Sequence, residues 1–248
     1  MEPVYRALES TASLLVAATG TRIDFRGLDH VPASGGAVVC INHTGYVDFL
    51  PAGLAVARRR RRLRFMLKAE MNEVPVVRWL IRHTGTILVD RQAGASAYVE
   101  AVRALRGGEL VGVYPEATIS RSFELKDFKT GAARMARDAE VPIVPLIVWG
   151  AQRIWTKDHP RALGRKRFDV TVAVGEPIAA HGTVEELLAT LRRDMTELLH
   201  SAQADHHHPP GAFWVPHRLG GGAPTPQEAE RRDADERARR ARKRTDRP

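Results

Sequence analysis

"AVVCINHTGYVDFLPAGLAVA", residues 37–57, decides the fold. It opens on an apolar run with the character of a buried strand (37–42), turns polar at Asn42 and His43, and resumes apolar from Asp48 with a helical pattern over 48–57. The polar turn places an imidazole, His43, and a carboxylate, Asp48, where a strand ends and a helix begins. Loops at the carboxyl ends of strands are where α/β proteins bind ligands.

Working outward, short β-branched runs recur at 21–27, 63–67, 86–90, 110–115, 143–150 and 167–175. Helix-like stretches lie between them at 71–83, 93–106, 130–139 and 183–200. The alternation predicts one α/β domain with a central, mostly parallel or mixed sheet flanked by helices. The run 143–150 has so little polar alternation that it reads as buried on both faces. The domain is expected to span 1–204, with 1–20 as an amphipathic N-terminal helix because Val4, Leu8, Ala12 and Leu15 recur at helical spacing. That helix either docks on the core or lies in a membrane interface. Residues 205–248 form a polar tail rich in Pro, Gly and His and then almost wholly charged, expected to be partly disordered, its charged end as disorder or a frayed, solvated helix, with Phe213 and Trp214 as a tether at its start. Three consecutive histidines, 206–208, read as a flexible turn.

A formal charge of +9 points to anionic partners. Cys40, the single cysteine, leaves no disulfide within the chain and no thiolate metal cluster, and reads as a small buried hydrophobe in its strand. Metal ligation is not expected. No run reaches the roughly 20 apolar residues of a membrane-spanning helix. The stretch 57–65 packs six arginines into nine residues, without zinc-finger spacing or an RNA-recognition aromatic motif, so specific nucleic-acid binding is not expected. An anionic membrane surface fits better. Val74, Val77, Leu80 and Ile81 share one helical face beside Trp79, a stripe that reads as core or as part of a monotopic membrane surface.

His-x4-Asp alone is a weak signal, since His200 and Asp205 repeat it at the end of a helical stretch that runs into the polar tail. The chemistry of the first pair is nonetheless coherent. A neutral imidazole accepts a hydroxyl proton near pH 7, and a carboxylate on its far nitrogen fixes the tautomer and stabilises the imidazolium. With no nucleophile motif nearby, the hydroxyl so activated belongs to a substrate.

The order of four blocks is more specific. "NHTGYVD" (42–48), "GTILVDR" (85–91), "YPEATISRSFELKDFKTGA" (114–132) and "VPIVPLIVWG" (141–150) resemble, in sequence order, the four motifs of the glycerolipid acyltransferases related to 1-acylglycerol-3-phosphate acyltransferase. The resemblance implies a glycerol-3-phosphate acyltransferase-like fold and transfer of a fatty acyl group from an acyl thioester, acyl-CoA or acyl carrier protein, to the sn-2 hydroxyl of 1-acylglycerol-3-phosphate (lysophosphatidic acid). Glycerol-3-phosphate or another lysolipid stays open as acceptor. His43 would be the general base and Asp48 its orienting partner, with no covalent intermediate and no cofactor. The enzyme would sit peripherally on the cytoplasmic face of the membrane. A catalytically inactive basic membrane-binding protein and a thioester hydrolase are the competing readings.

Phosphate recognition calls for cationic donors. Arg91 closes the second block, Arg121 follows the Pro-Glu-Ala-Thr turn, and Lys129 and Lys68 have similar claims. Glu116, at the centre of the third block, either shapes the acceptor pocket or has a structural role; Thr118 orients the loop or meets the acceptor. Ala117 replaces the family's usual glycine, which implies a backbone with no need of positive φ. Ile119 replaces its usual arginine, so either Arg121 compensates from two residues along or the acceptor presents its headgroup differently.

Overall fold

Seven consecutive residues, Ile143–Trp149, are buried at every position and form the strand around which the molecule is built. The structure, a computed structural model, describes residues 2–73, 75–89, 94–162 and 164–245. It is one α/β domain. Seven strands, β1 (Arg22–Arg26), β2 (Ala37–Ile41), β3 (Leu63–Lys68), β4 (Ile87–Val89), β5 (Leu110–Val113), β6 (Ile143–Trp149) and β7 (Asp169–Val174), form a sheet in the order β1-β7-β6-β2-β5-β3-β4. Every pairing is parallel except β6 with β7. The strands fall within or beside the runs expected from sequence, because β-branched runs bounded by polar turns mark buried strands well.

The two-residue period of the strands splits the core into two clusters. Val38, Cys40, Ile143 and Ile147 face one side, where α4 (Gly94–Arg106), α5 (Gly131–Ala139) and α6 (Val184–Ala204) supply the cover. Val39, Ile41, Val144 and Leu146 face the other, against α2 (Phe49–Ala57). Cys40 is fully buried, and burial pushes its thiol pKa far up, as befits a core residue. α6 starts at a capping box, in which Thr183 accepts from the Glu186 N–H and Glu186 from the Thr183 N–H.

Helix α1 (Glu2–Thr19) is docked at one end, where the Tyr5 hydroxyl donates to the Thr84 carbonyl at 2.7 Å. Further along, Leu14 and Leu15 are 70% and 54% exposed. In α3 (Pro75–Thr84), Ile81 is buried while Trp79 is 48% exposed and stacks on His83. Val74 lies outside the described residues.

The arginine run 57–65 is largely consumed by the fold. Arg58 lies over the Phe25 ring, Arg62 over that of Tyr5, Arg64 pairs with Glu109, and Arg61 donates to the carbonyls of Pro32, Gly35 and Gly108. Arginine does this readily because its planar fork suits both ring faces and several acceptors at once.

The structure differs most from expectation after residue 204. Trp214, Val215 and Ala223 are buried in the same cluster as β6 and α6. His206 meets the Thr171 hydroxyl at 2.9 Å, and His208 sits against Trp149 and Trp214. The charged stretch, expected as disorder or a frayed, solvated helix, is a helix, α7 (Pro226–Thr245), and it is not wholly solvated, since Ala229 and Asp233 are buried. Composition conceals this docking, since it rests on a few aromatic residues and two carboxylates of α7, Asp233 and Glu236.

Gly112 in β5 has room for no side chain: a Cβ there would lie 2.9 Å from Cγ of Leu63 on β3. Gly112→Val is expected to cost about 1–3 kcal/mol by overpacking, read as a lower urea midpoint at unchanged slope.

Candidate active site

The parallel register of β2 and β5 sets the site. Cys40 pairs with Val113, so the residues three further along each strand, His43 and Glu116, emerge at the same sheet edge. Asn42 makes the exit from β2: its side-chain amide donates to the Val148 carbonyl at 3.0 Å and accepts from the Val148 N–H at 2.7 Å. These bonds carry the pairing of β2 with β6 one rung past the strand's end.

His43 is held on three sides. Its N–H donates to Glu116 Oε1 at 2.9 Å, its carbonyl accepts from the Ser120 N–H at 2.7 Å, and its ring stacks on Tyr114 at 4.1 Å. The imidazole Nδ1 lies 3.3 Å from Asp48 Oδ2, with the histidine side chain 20% exposed and the aspartate wholly buried. Nδ1 faces the carboxylate, so Nε2 is the ring nitrogen outside this contact.

Asp48 is the N-cap residue of α2, but its side chain does not cap the helix. It turns back into the loop, where Oδ2 also accepts the N–H groups of Thr44 at 2.8 Å and Gly45 at 2.7 Å. Oδ1 is buried without a protein hydrogen-bond partner. Burial raises the Asp48 pKa, while His43 and the two N–H donors pull against it. The turn requires Gly45: a Cβ there would be 2.9 Å from the Trp155 carbonyl and 3.2 Å from Asp48 Oδ1. Trp155 and Thr156 brace this loop, through the Tyr46 N–H to the Trp155 carbonyl and the Thr156 hydroxyl to the Thr44 carbonyl.

Of the substrate-binding candidates, Glu116 is buried and bridges two backbones: Oε1 takes the His43 N–H and Oε2 the Lys126 N–H at 3.1 Å. Burial pushes its pKa up to about 8, against those two donors and the Lys126 charge. Thr118 is half-buried, and its hydroxyl accepts from Lys126 Nζ at 2.8 Å. Lys68 ends β3 at the same sheet edge, and exposed Lys129 donates its N–H to the Pro115 carbonyl ahead of α5. Arg91 lies outside the described residues.

Two expectations are corrected. Arg121 is not an open phosphate donor: only 8% exposed, its guanidinium is enclosed by Asp158, Asp233 and Glu236. Ile119, at the position of the family's arginine, is buried in turn, so Arg121 does not compensate for it here. Ala117 does adopt positive φ, at 59°, so the backbone has the left-handed shape a glycine suits and alanine bears the strain.

Sequence reasoning missed Tyr114 and Lys126. Tyr114 directly precedes Pro115 and Glu116, and an aromatic at the end of β5 is a legible signal. Lys126 gives no local sign of its two contacts to Glu116 and Thr118. Among the described residues no group of three or more His, Cys, Asp or Glu side chains is set to hold a metal ion.

A partly exposed histidine on a buried carboxylate, at the carboxyl edge of parallel strands, is an arrangement chemically able to accept a proton from a hydroxyl. The comparisons with known proteins give that chemistry a family. The sequence model of the acyltransferase family matches residues 22–149, more than half of the chain, and the protein belongs to that family. Over 179 residues it is 27% identical to a 1-acyl-sn-glycerol-3-phosphate acyltransferase of Bacillus subtilis, covering 69% of this chain and 81% of the relative. It is 30% identical over 151 residues to the human 1-acyl-sn-glycerol-3-phosphate acyltransferase alpha, covering 57% of this chain and 50% of the relative. It thus spans about half the length of the human enzyme and 49% of that of a chloroplast relative from Brassica napus. The fold is similar to that of the crystal structure of PlsC, the 1-acyl-sn-glycerophosphate acyltransferase of Thermotoga maritima, with a TM-score of 0.70, 21% identity, and coverage of 83% and 82% of the two chains.

Ala117→Gly is expected to relieve about 1 kcal/mol of left-handed strain, seen as a higher unfolding midpoint. The Glu116 carboxyl, raised to about 8 in the fold from an unfolded value of about 4.3, keeps its proton when folded and releases it on unfolding. Its contribution to stability is complete below the unfolded value and is lost as pH rises through the folded one. Between about pH 7 and 9, above the ordinary histidine range, unfolding midpoints should fall in the native chain and fall less steeply in Glu116→Gln.

Proposed function

We propose that the protein transfers a fatty acyl group from an acyl thioester to the sn-2 hydroxyl of 1-acylglycerol-3-phosphate, forming phosphatidic acid for phospholipid biosynthesis. The observation that carries this reading is the His43–Asp48 pair, with its Nδ1···Oδ2 separation of 3.3 Å and a partly exposed imidazole over a buried carboxylate. The relatives, named as 1-acyl-sn-glycerol-3-phosphate acyltransferases, support the same acceptor.

In the reaction, His43 Nε2 takes the proton of the acceptor hydroxyl as its oxygen attacks the thioester carbonyl. Asp48 holds the ring in the tautomer with Nδ1 protonated and stabilises the imidazolium as it forms. The tetrahedral centre then collapses: the C–S bond breaks, the ester C–O bond remains, and the imidazolium returns its proton to the thiolate. The chemistry needs no metal or redox cofactor. The donor is acyl-CoA or acyl carrier protein.

For the acceptor phosphate, Lys68, Arg91 and Lys129 are the remaining cationic candidates of the proposal, each on a segment that follows or ends β3, β4 or β5. The enclosure of Arg121 and the burial of Ile119 favour a second reading of the acceptor, as glycerol-3-phosphate or another lysolipid with a differently placed headgroup. Among the described residues no helix is long and apolar enough to cross a membrane. Peripheral attachment to the cytoplasmic face of an anionic bilayer is supported by Leu14, Leu15, Trp79, Tyr46 and Phe49, all large and exposed, of which Tyr46 lies within the His43 loop and Phe49 directly follows it.

Purified protein given acyl-CoA or acyl carrier protein together with each acceptor, with products read by mass spectrometry, should yield phosphatidic acid from 1-acylglycerol-3-phosphate. His43→Ala should lower the rate by about 10²–10⁴-fold, the usual share of a general base, while liposome binding persists. Transfer to no acceptor, or equal turnover without His43, would refute the reading; thioester cleavage indifferent to acceptor would mark a hydrolase.

A further inference from the structure

Helix α7 is charged along most of its length, and among its described side chains the buried ones are Ala229 and Asp233, 7% and 5% exposed. A helix with so narrow an apolar stripe is not held by hydrophobic burial alone. Its ionic contacts converge on one place. Asp233 pairs with Arg121 and Lys126 and lies 3.5 Å from Lys157 Nζ. Glu236 accepts from Arg121 at 2.9 Å and from Lys157 at 3.2 Å. Arg121 and Lys126 come from the segment after β5 and Lys157 from the segment after β6, the two that brace the His43 loop.

Lys126 links this cluster to the reaction. Its ammonium, paired with Asp233, also donates to the Thr118 hydroxyl. Its N–H donates to Glu116, whose other oxygen takes the His43 N–H. Asp233 is thus connected to the general base through the Lys126 side chain and backbone and then the Glu116 carboxyl. Lys126 also faces Glu230 and the like charges of Arg121 and Arg237. Without the Asp233 carboxylate those cations push it away from Thr118.

We propose that Asp233 is a positioning residue: by fixing the Lys126 ammonium over Thr118 it sets the 116–126 segment, and through Glu116 the backbone of His43. The proposal rests on His43 as the base. A buried ion cluster is a poor source of stability compared with apolar packing, and a role in specifying one geometry accounts better for its presence. Asp233 then acts on the site although it lies beyond the family match, which ends at residue 149, while Glu236 on the same helix does not reach Lys126 through the contacts described.

The test uses the full chain with Asp233→Asn, Asp233→Glu, Lys126→Met and Glu236→Gln. Asp233→Asn and Lys126→Met should each lower kcat about tenfold, part of the roughly 100-fold that an ångström of misplacement costs, with KM for donor and acceptor little changed. Asp233→Glu should recover most of the rate. Glu236→Gln, which releases Arg121 and Lys157 rather than Lys126, should leave kcat within about twofold of the native value even where the thermal midpoint falls. Hydrogen exchange at the His43 amide, which needs no turnover, should quicken in Asp233→Asn and Lys126→Met and not in Glu236→Gln. Should Asp233→Asn not fold, Lys126→Met reads the same link from the other end with Asp233 still paired to Arg121. Midpoints that fall alike with His43 exchange unaltered would reduce α7 to a structural prop and overturn the proposal, as would a rise in kcat on losing Asp233. A protein that transfers no acyl group yet shows the exchange pattern would keep the positioning link and sink only the proposed reaction.

Discussion

Everything at the site follows from the way two neighbouring parallel strands deliver their loops to one edge. The Cys40–Val113 pairing puts His43 opposite Glu116, and the two loops then fasten to each other through the N–H and carbonyl of His43. A side chain with fixed backbone bonds above and below, a stacked tyrosine and a carboxylate behind has little freedom to lose when a substrate arrives. Preorganisation of this kind is what the proposed role of His43 as a base would call for. The buried Asp48 is costly to desolvate, and its three donors on Oδ2 offset part of that cost.

The fold was legible because its signal is long and redundant. Runs such as 143–150, without a polar residue to alternate, have few alternatives to a doubly covered strand. The dyad was legible because spacing and context agree: the His200–Asp205 copy has the spacing but leaves a helix, whereas His43 leaves a buried strand. The third block read less well. Its residue types were visible, but Arg121 is defined by carboxylates far away in sequence, Asp158 and Asp233, and no local pattern announces a partner 112 residues distant. Ala117 misled for a different reason: glycine marks a left-handed backbone dependably, but its absence does not rule one out, since an alanine costs only about 1–2 kcal/mol there.

Charge tells a similar story. A net charge of +9 suggests a surface built to meet anions, yet much of the arginine-rich run 57–65 is used internally, on aromatic rings, backbone carbonyls and Glu109. Guanidinium groups in this protein serve as much to tie segments together as to attract a partner. The same holds for α7, whose composition resembles a solvated tail and whose Asp233 nonetheless lies among three cations. Composition counts charges without recording which of them face inward.

The side-chain rung that Asn42 adds between β2 and β6 has an architectural consequence. It suspends the loop bearing His43 from fixed points at both ends, the sheet on one side and the first turn of α2 on the other, so its length admits no slack. Insertions that ordinary surface loops absorb freely would here tear one mooring loose. Divergence among proteins built this way should therefore gather in the segments around the rim, while the span from Asn42 to Asp48 keeps its size whatever molecule is being acylated.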